Sequence, residues 1–340
     1  MQEVGQGAGR GRARAFWLRE PGVGEIRDVP LREPRPDEVV VRTLRSAVSR
    51  GTESLVFGGR VPPSQYDVMR APFQEGEFPG PVKYGYLNVG LVEAGPDDLR
   101  GRTVFCLHPH QTTYVVPAAA VTVVPDGVPV GRAVLAGIVE TAVNALWDQP
   151  PLLGDRIAVV GAGVLGCSVA RLASRVPGTT VTLVDVDPSR AGVADALGVG
   201  FALPDAVEGG CDLVVHTSAT SSGLQCSLDL LAPEGTVLEL SWYGDEPTTV
   251  SLGGSFHSGR LSLRASQVGR VAPARRDRRT TGARLALALD LLRDDAFDCL
   301  LTGESDFEAL PDVMPRLVSR ELPALCHAVT YGHEEVACSA

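Results

Sequence analysis

Two textures of apolar spacing divide the chain. Up to about residue 132, short runs of β-branched and aromatic residues are separated at close intervals by proline and glycine. Ala15–Leu18, Val39–Leu44, Asn88–Glu93 and Thr103–Leu107 read as strands, and their spacing predicts a small antiparallel barrel. Between Val61 and Val82 lies a stretch with several prolines and the aromatics Tyr66, Phe73 and Phe78. A connection of that length is expected to serve function, and it is assigned one wall of a substrate site. From about Ala133 the period changes. Ala133–Trp147 has helical spacing, Arg156–Val160 is a continuous apolar strand, and a helix pattern runs on to Ala173. Val181–Asp185, Asp212–His216 and Thr236–Leu240 are further strands. Strands that are apolar throughout and alternate with helices predict a parallel sheet covered on both faces. A helix begins at Gly282 with Leu285, Ala286, Leu289 and Leu292, and Ala328–Thr330 is the final strand.

The turn after the first of these parallel strands is Gly161-Ala162-Gly163-Val164-Leu165-Gly166. Between a strand and a helix, each glycine in this spacing has a task. The first allows the tight turn, the second lets a pyrophosphate approach the backbone, and the third lets helix pack on strand. The helix N-terminus supplies free N–H groups and partial positive charge to the phosphates. Asp185 comes 24 residues after Gly161, at the end of the second parallel strand. A carboxylate there accepts both ribose hydroxyls of NAD and repels the 2′-phosphate of NADP. The nearby Arg190, which can pack on the adenosine or neutralise a phosphate, keeps NADP open as the less favoured cofactor. By this reading, residues 1–138 form a first domain with 1–12 as a mobile arm, 139–267 the NAD-binding domain, and 268–340 a return to the first.

Composition removes other classes. A chain of 340 residues suits two domains, and 44% hydrophobic with 21% charged residues is ordinary for a globular enzyme. A formal net charge of −10 speaks against a nucleic-acid partner. The seven cysteines are scattered without a Cys-x-x-Cys pair, which points away from a zinc lobe or a disulfide framework. Met1–Arg14 lacks the apolar core of a secretory signal, and no apolar run approaches the roughly 20 residues of a membrane helix. The expected location is the cytoplasm, with a small-molecule substrate and no membrane partner.

A barrel segment, then a Rossmann unit, then a short return resembles the medium-chain dehydrogenase/reductase superfamily over nearly the whole chain. Gly85-Tyr86-Leu87-Asn88-Val89-Gly90-Leu91-Val92-Glu93 is similar to its Gly-His-Glu-x-x-Gly-x-Val-Glu segment. Ser46-Ala47-Val48-Ser49-Arg50-Gly51-Thr52-Glu53 is similar to its Ser-Gly-x-Cys-Gly-Thr-Asp segment, one residue longer. Within the superfamily, the run from Ser49 to Pro62 looks closest to the bacteriochlorophyllide a dehydrogenase branch, which also carries Gly-Tyr for Gly-His. The resemblance implies a GroES-like catalytic domain beside the Rossmann domain, NAD-linked oxidation of a secondary alcohol to a ketone, and a homodimer.

The departures decide the chemistry. At the metal-ligand positions of the zinc enzymes stand Ser49 or Arg50, then Tyr86, then Gly137, and none supplies an imidazole, thiolate or carboxylate. A replacement cluster of Cys106, His108 and His110 is weighed and set aside, so no zinc is expected. Hydride transfer at a carbonyl then needs hydrogen-bond donors for the oxyanion and a route for the proton. Tyr86 is assigned the donor, Ser49 and Thr52 the relay, and Glu53 the orienting or accepting carboxylate. Lys83 and Tyr84 either depress the Tyr86 pKa or face solvent. His110, expected at a cleft mouth, contacts substrate or shuttles a proton. Arg50 is assigned to the pyrophosphate and Thr141 to a cofactor-facing helix position. Ser218, Ala219, Ser241 and Trp242 follow strand ends where the nicotinamide ribose is expected, and Gln267 resembles the segment that holds the carboxamide. Arg270, Arg275, Arg276, Arg278 and Arg279 read as a solvated loop or an anion clamp. Three alternatives stay open: an NADPH-dependent quinone or enone reductase, a cofactor-binding protein without turnover, and zinc bound by ligands outside the family's positions.

Overall fold

The computed structural model describes residues 11–332. Most of the expected arm, 1–10, lies outside the described residues, as does Cys338. Arg12, placed in that arm by the sequence reading, instead opens a strand, Arg12–Glu20, paired antiparallel with Val23–Pro30.

The chain forms two compact units, one of residues 1–134 with 303–340 and one of 135–302. In the first, the strand Glu38–Val48 lies at the centre of a seven-stranded sheet. Its neighbours are Asn88–Ala94, Thr113–Pro117 and Cys326–Thr330, all antiparallel. Period-2 alternation buries Val39, Val41, Val92, Val104, Tyr114 and Val116 together. The predicted strands are all present. The sheet also holds strands that the sequence reading left unassigned, among them Thr113–Pro117 and Val121–Val123. A short helix, Arg50–Phe57, follows the central strand directly.

The second unit is a doubly wound parallel sheet. Its strands run in the order Gly200–Ala202, Thr180–Val184, Arg156–Val160, Cys211–His216, Leu231–Glu239, Ser262–Ala265. Strand order reverses between Arg156–Val160 and Cys211–His216, and open α/β sheets take ligands beyond the carboxyl ends at such a switch point. Gly161 and Thr217 follow those two strands. Val160, Val184, Val214 and Val237 pack with Leu224 and Leu228 of the helix Ser221–Asp229.

The return to the first unit starts at Gly303, not at 268 where the sequence reading placed it. The helix Thr281–Leu291 explains the difference. It packs on Ala136–Asp148 within the second unit and anchors there through Arg284, which is 2% exposed. Arg284 Nε donates to Glu140 Oε1 at 3.0 Å and Nη2 to the Val268 carbonyl at 2.6 Å. A buried arginine needs its donors used, and this one ties 268–270 and the following helix to the Rossmann core.

Candidate active site

In the second unit, the glycine turn has the geometry its spacing predicts. Gly161 has φ +110°, and a Cβ there would lie 2.7 Å from Thr217 Oγ1 and 2.8 Å from the Ser218 nitrogen. Gly166 sits in the first turn of Val164–Ala173, where a Cβ would collide with the Gly161 carbonyl oxygen. Gly163, the N-cap, faces open space, and no side chain caps this helix. The leading N–H groups of Val164, Leu165 and Gly166 therefore have no side-chain capping partner, the arrangement that receives an anion. Asp185 Oδ2 accepts the Ala162 N–H at 2.7 Å and Oδ1 the Asp187 N–H at 3.0 Å. Each oxygen keeps acceptor capacity for a ribose hydroxyl. Arg190 pairs with Asp187 at 3.3 Å.

Thr141 spends its hydroxyl proton on the Gly137 carbonyl at 2.9 Å. Ser218 and Ser241 are linked to one buried histidine, His216, a residue the sequence reading passed over. Ala219 carries φ +54° and its N–H donates to Ser241 Oγ at 3.1 Å. Trp242 is half-buried beside them. Gln267 turns its side-chain oxygen to the Gly269 N–H at 2.8 Å. The arginines from 275 to 279 lie on an exposed loop.

In the first unit, Tyr86, Ser49, Thr52, Glu53 and His110 form one network. The Tyr86 phenol donates to Ser49 Oγ at 2.5 Å and also bonds the Thr52 side chain. Ser49 is the N-cap of Arg50–Phe57, so Arg50 is its first helical residue. Glu53 reaches back to the Ser49 N–H with Oε1 at 2.8 Å, as a capping carboxylate does. Its other oxygen lies 3.0 Å from His110 Nε2. His110 Nδ1 meets Ser46 Oγ at 2.7 Å, and Ser46 Oγ meets Tyr331 OH at 2.7 Å. With Glu53 accepting, Nε2 carries the hydrogen and Nδ1 accepts from Ser46.

Two expectations are corrected here. His110 is 1% exposed, so it is an interior partner of Glu53 and not a residue at a cleft mouth. Lys83 and Tyr84 are also buried and do not activate the phenol. Lys83 is spent on Glu75 at 2.5 Å and Gln111 at 2.7 Å. Burial pushes the Tyr86 phenol up to about 12, which keeps it a protonated donor. Ser46 and Tyr331 went unassigned. Tyr66, Phe78 and Tyr84 continue the aromatic packing, with ring centroids 5.6 and 5.7 Å apart, and Tyr84 meets Tyr86 edge-on at 6.3 Å. Phe73 turns away to stack on His108 at 5.6 Å.

No protein-family model matches the chain. A dehydrogenase of Sinorhizobium meliloti 1021, bound to NADP and named as zinc-binding, superposes with a TM-score of 0.76 at 18% identity. It covers 94% of this chain and 100% of its own. The chain has the fold of the medium-chain dehydrogenase/reductases. The first unit is thus the GroES-like domain of that fold and the second its Rossmann domain. Among curated proteins, 2-desacetyl-2-hydroxyethyl bacteriochlorophyllide A dehydrogenase of Cereibacter sphaeroides is 31% identical over 184 residues. That match covers 47% of this chain and 52% of the relative, so about half of the relative's length is spanned. D-guloside 3-dehydrogenase of Shigella flexneri is 25% identical over 246 residues, covering 64% of this chain and 70% of that protein.

Zinc enzymes of this fold need a ligand set, and these residues do not provide one. Tyr86 and Ser49 are hydrogen-bonded to each other, and Gly137 has no side chain. Cys106, His108 and His110 do not converge either. His108 stacks on Tyr114 at 3.7 Å, and burial lowers its pKa to about 3. Burial raises the Cys106 thiol to about 12. Among the described residues, no group of three histidines, cysteines or carboxylates is placed to hold a metal ion, and no helix is long and apolar enough to cross a membrane.

Proposed function

We propose that the protein is an NAD(H)-dependent, zinc-independent cytoplasmic oxidoreductase that interconverts a secondary alcohol and a ketone on a bulky or heterocyclic substrate. The observation that carries the reading is the Tyr86–Ser49 hydrogen bond, which supports it because the resemblance sets Tyr86 at one ligand position of the zinc enzymes and Ser49 or Arg50 at another. Tyr86 acts as donor to the carbonyl oxygen, Ser49 and Thr52 hold its hydroxyl in place, and the Glu53–His110 pair fixes the loop that carries Ser49. The names of the two curated relatives, on a bacteriochlorophyllide and a guloside, favour a ring-bearing substrate.

Gly161, Gly163 and the first turn of Val164–Ala173 would hold the pyrophosphate, and Asp185 the adenosine ribose. NAD supplies the hydride acceptor when bound. NADH is expected to bind more tightly than NADPH in fluorescence titration. Asp185→Ala is expected to weaken NADH by about tenfold to a hundredfold, the worth of hydrogen bonds to a charged acceptor, and to narrow the preference. Stronger NADPH binding would favour the enone-reductase reading. NADH binding without turnover on any carbonyl of a broad panel would favour the non-catalytic one. More than a tenth of an equivalent of bound zinc would refute zinc independence.

We further propose a homodimer joined through Ser262–Ala265. This strand ends the Rossmann sheet and is exposed at every residue, and an open edge invites pairing with a second copy. Light scattering after gel filtration is expected to give twice the chain mass for the wild type and the monomer mass for Leu263→Pro. A monomeric wild type would overturn the proposal.

A further inference from the structure

At the carboxyl ends of two neighbouring Rossmann strands, three side chains stand in a row. His216 ends Cys211–His216 and is fully buried. Its Nδ1 lies 2.7 Å from Glu239 Oε2, and its Nε2 lies 2.7 Å from Ser218 Oγ. Glu239 also accepts the Ser241 N–H at 2.7 Å and the Tyr243 hydroxyl at 2.9 Å. Burial pushes the Glu239 carboxyl up, but the hydrogen bonds from His216 and Ser241 pull it below the usual carboxylate range. An ionised acceptor fixes the imidazole with its hydrogen on Nδ1 and leaves Nε2 to take the Ser218 proton. Hydroxyl, imidazole and carboxylate are thus in the order that activates a serine.

The backbone around Ser218 supports the same reading. Ser218 lies on the turn between a strand and the helix Ser221–Asp229, as the nucleophile does in a strand–turn–helix elbow. The next residue, Ala219, has φ +54°, an uncommon conformation without glycine. The N–H after the nucleophile is where such a centre binds an oxyanion. Here that N–H is held by the Ser241 hydroxyl at 3.1 Å, a partner that a substrate oxygen can replace. Gly223 completes the arrangement, because a Cβ there would collide with Ser218 Oγ and lie 2.9 Å from His216 Nε2. The alcohol–ketone reading leaves His216 and Glu239 unused.

We propose that Ser218, His216 and Glu239 form an acyl-transfer centre that hydrolyses activated carboxylic esters. Ser218 Oγ adds to the ester carbonyl while its proton passes to His216 Nε2. The tetrahedral adduct collapses with cleavage of the ester C–O bond, and His216 returns the proton to the departing alkoxide. Water then attacks the acyl-serine by the same route, releasing the carboxylic acid and restoring the hydroxyl. Glu239 orients the imidazole throughout. Ser218, Ala219 and Ser241 are also the residues assigned to the nicotinamide ribose, so a bound cofactor would compete with the ester for this pocket and the test is made on cofactor-free protein.

The test is to treat the purified full chain with a fluorophosphonate probe and, separately, with p-nitrophenyl acetate. One phosphonate is expected on Ser218 by peptide mass spectrometry, with steady release of p-nitrophenol. Ser218→Ala removes only a hydroxyl. It is expected to abolish labelling and cut hydrolysis at least about a hundredfold, the lower end of what base-assisted attack contributes. Gly223→Ala is expected to block labelling by displacing the Ser218 hydroxyl from His216 while all three triad residues are retained, and circular dichroism checks that each variant is folded. An unlabelled wild type, a label on another residue, or hydrolysis unchanged in folded Ser218→Ala would each overturn the proposal.

Discussion

Tyr86→Phe is expected to lower kcat for ketone reduction by roughly 10²–10⁴-fold while leaving NADH affinity unchanged, the range for loss of a positioned proton donor. The substitution keeps the ring, and with it the edge-on contact to Tyr84. What it removes is the hydroxyl that donates to Ser49. Because burial raises this phenol to about 12, it is protonated at every pH at which the protein would be assayed, as the proposed donor role requires. Reduction of an aryl ketone panel followed by NADH absorbance gives kcat and KM, and fluorescence titration gives the cofactor affinity separately. Ser49→Ala is expected to act in the same direction more weakly, since the phenol keeps Thr52. An undiminished kcat in Tyr86→Phe would place the donor elsewhere.

Arg284→Ala is expected to destabilise the Rossmann unit by about 3–5 kcal/mol, the usual cost of removing one partner from a buried ion pair. Glu140 is 4% exposed, burial already raises its carboxyl, and without Arg284 it would be left either as an unpaired buried charge or as a protonated acid. The Val268 carbonyl would lose its guanidinium donor, and the Asn144 side-chain oxygen, 2.5 Å from Nη1, would keep only the Ala272 N–H. Urea denaturation monitored by circular dichroism measures the loss. The pair Arg284→Met with Glu140→Leu is expected to recover much of it, because an apolar replacement removes the buried charge along with its partner. A single variant that melts with the wild type would show that the ion pair does not hold this helix in place.

The glycine turn and Asp185 were legible because strand, turn, helix and acidic residue lie within one short stretch, where spacing alone dictates geometry. The central barrel strands were legible for a similar reason, through their period-2 alternation. The partners of His110 were not. Ser46 is 64 residues away and reaches Tyr331 across 285, and no local pattern encodes such a pairing. His216 looked like the end of an apolar strand, since Glu239 and Tyr243 meet it only across the sheet. Arg50–Phe57 was read as a motif and not as a helix, because Gly51 and Thr52 are poor helix formers and tertiary context had to override them. Periodicity located Thr281–Leu291 correctly, yet it carried no sign of which unit the helix joins. That is settled by the buried guanidinium of Arg284.

The strand Cys326–Thr330 pairs with Glu38–Val48, and the whole of 135–302 lies between them in the chain. On a ribosome adding roughly 5–20 residues per second, the early strand waits on the order of ten seconds or longer for its neighbour. The middle of the gene product can finish folding while the half made first is still open at an edge. During that interval the nascent barrel is a client for chaperones that shield unpaired strands. Tyr331 follows directly on Cys326–Thr330, so the chain of bonds through Ser46 to His110 and Glu53 is completed only after that strand has been made.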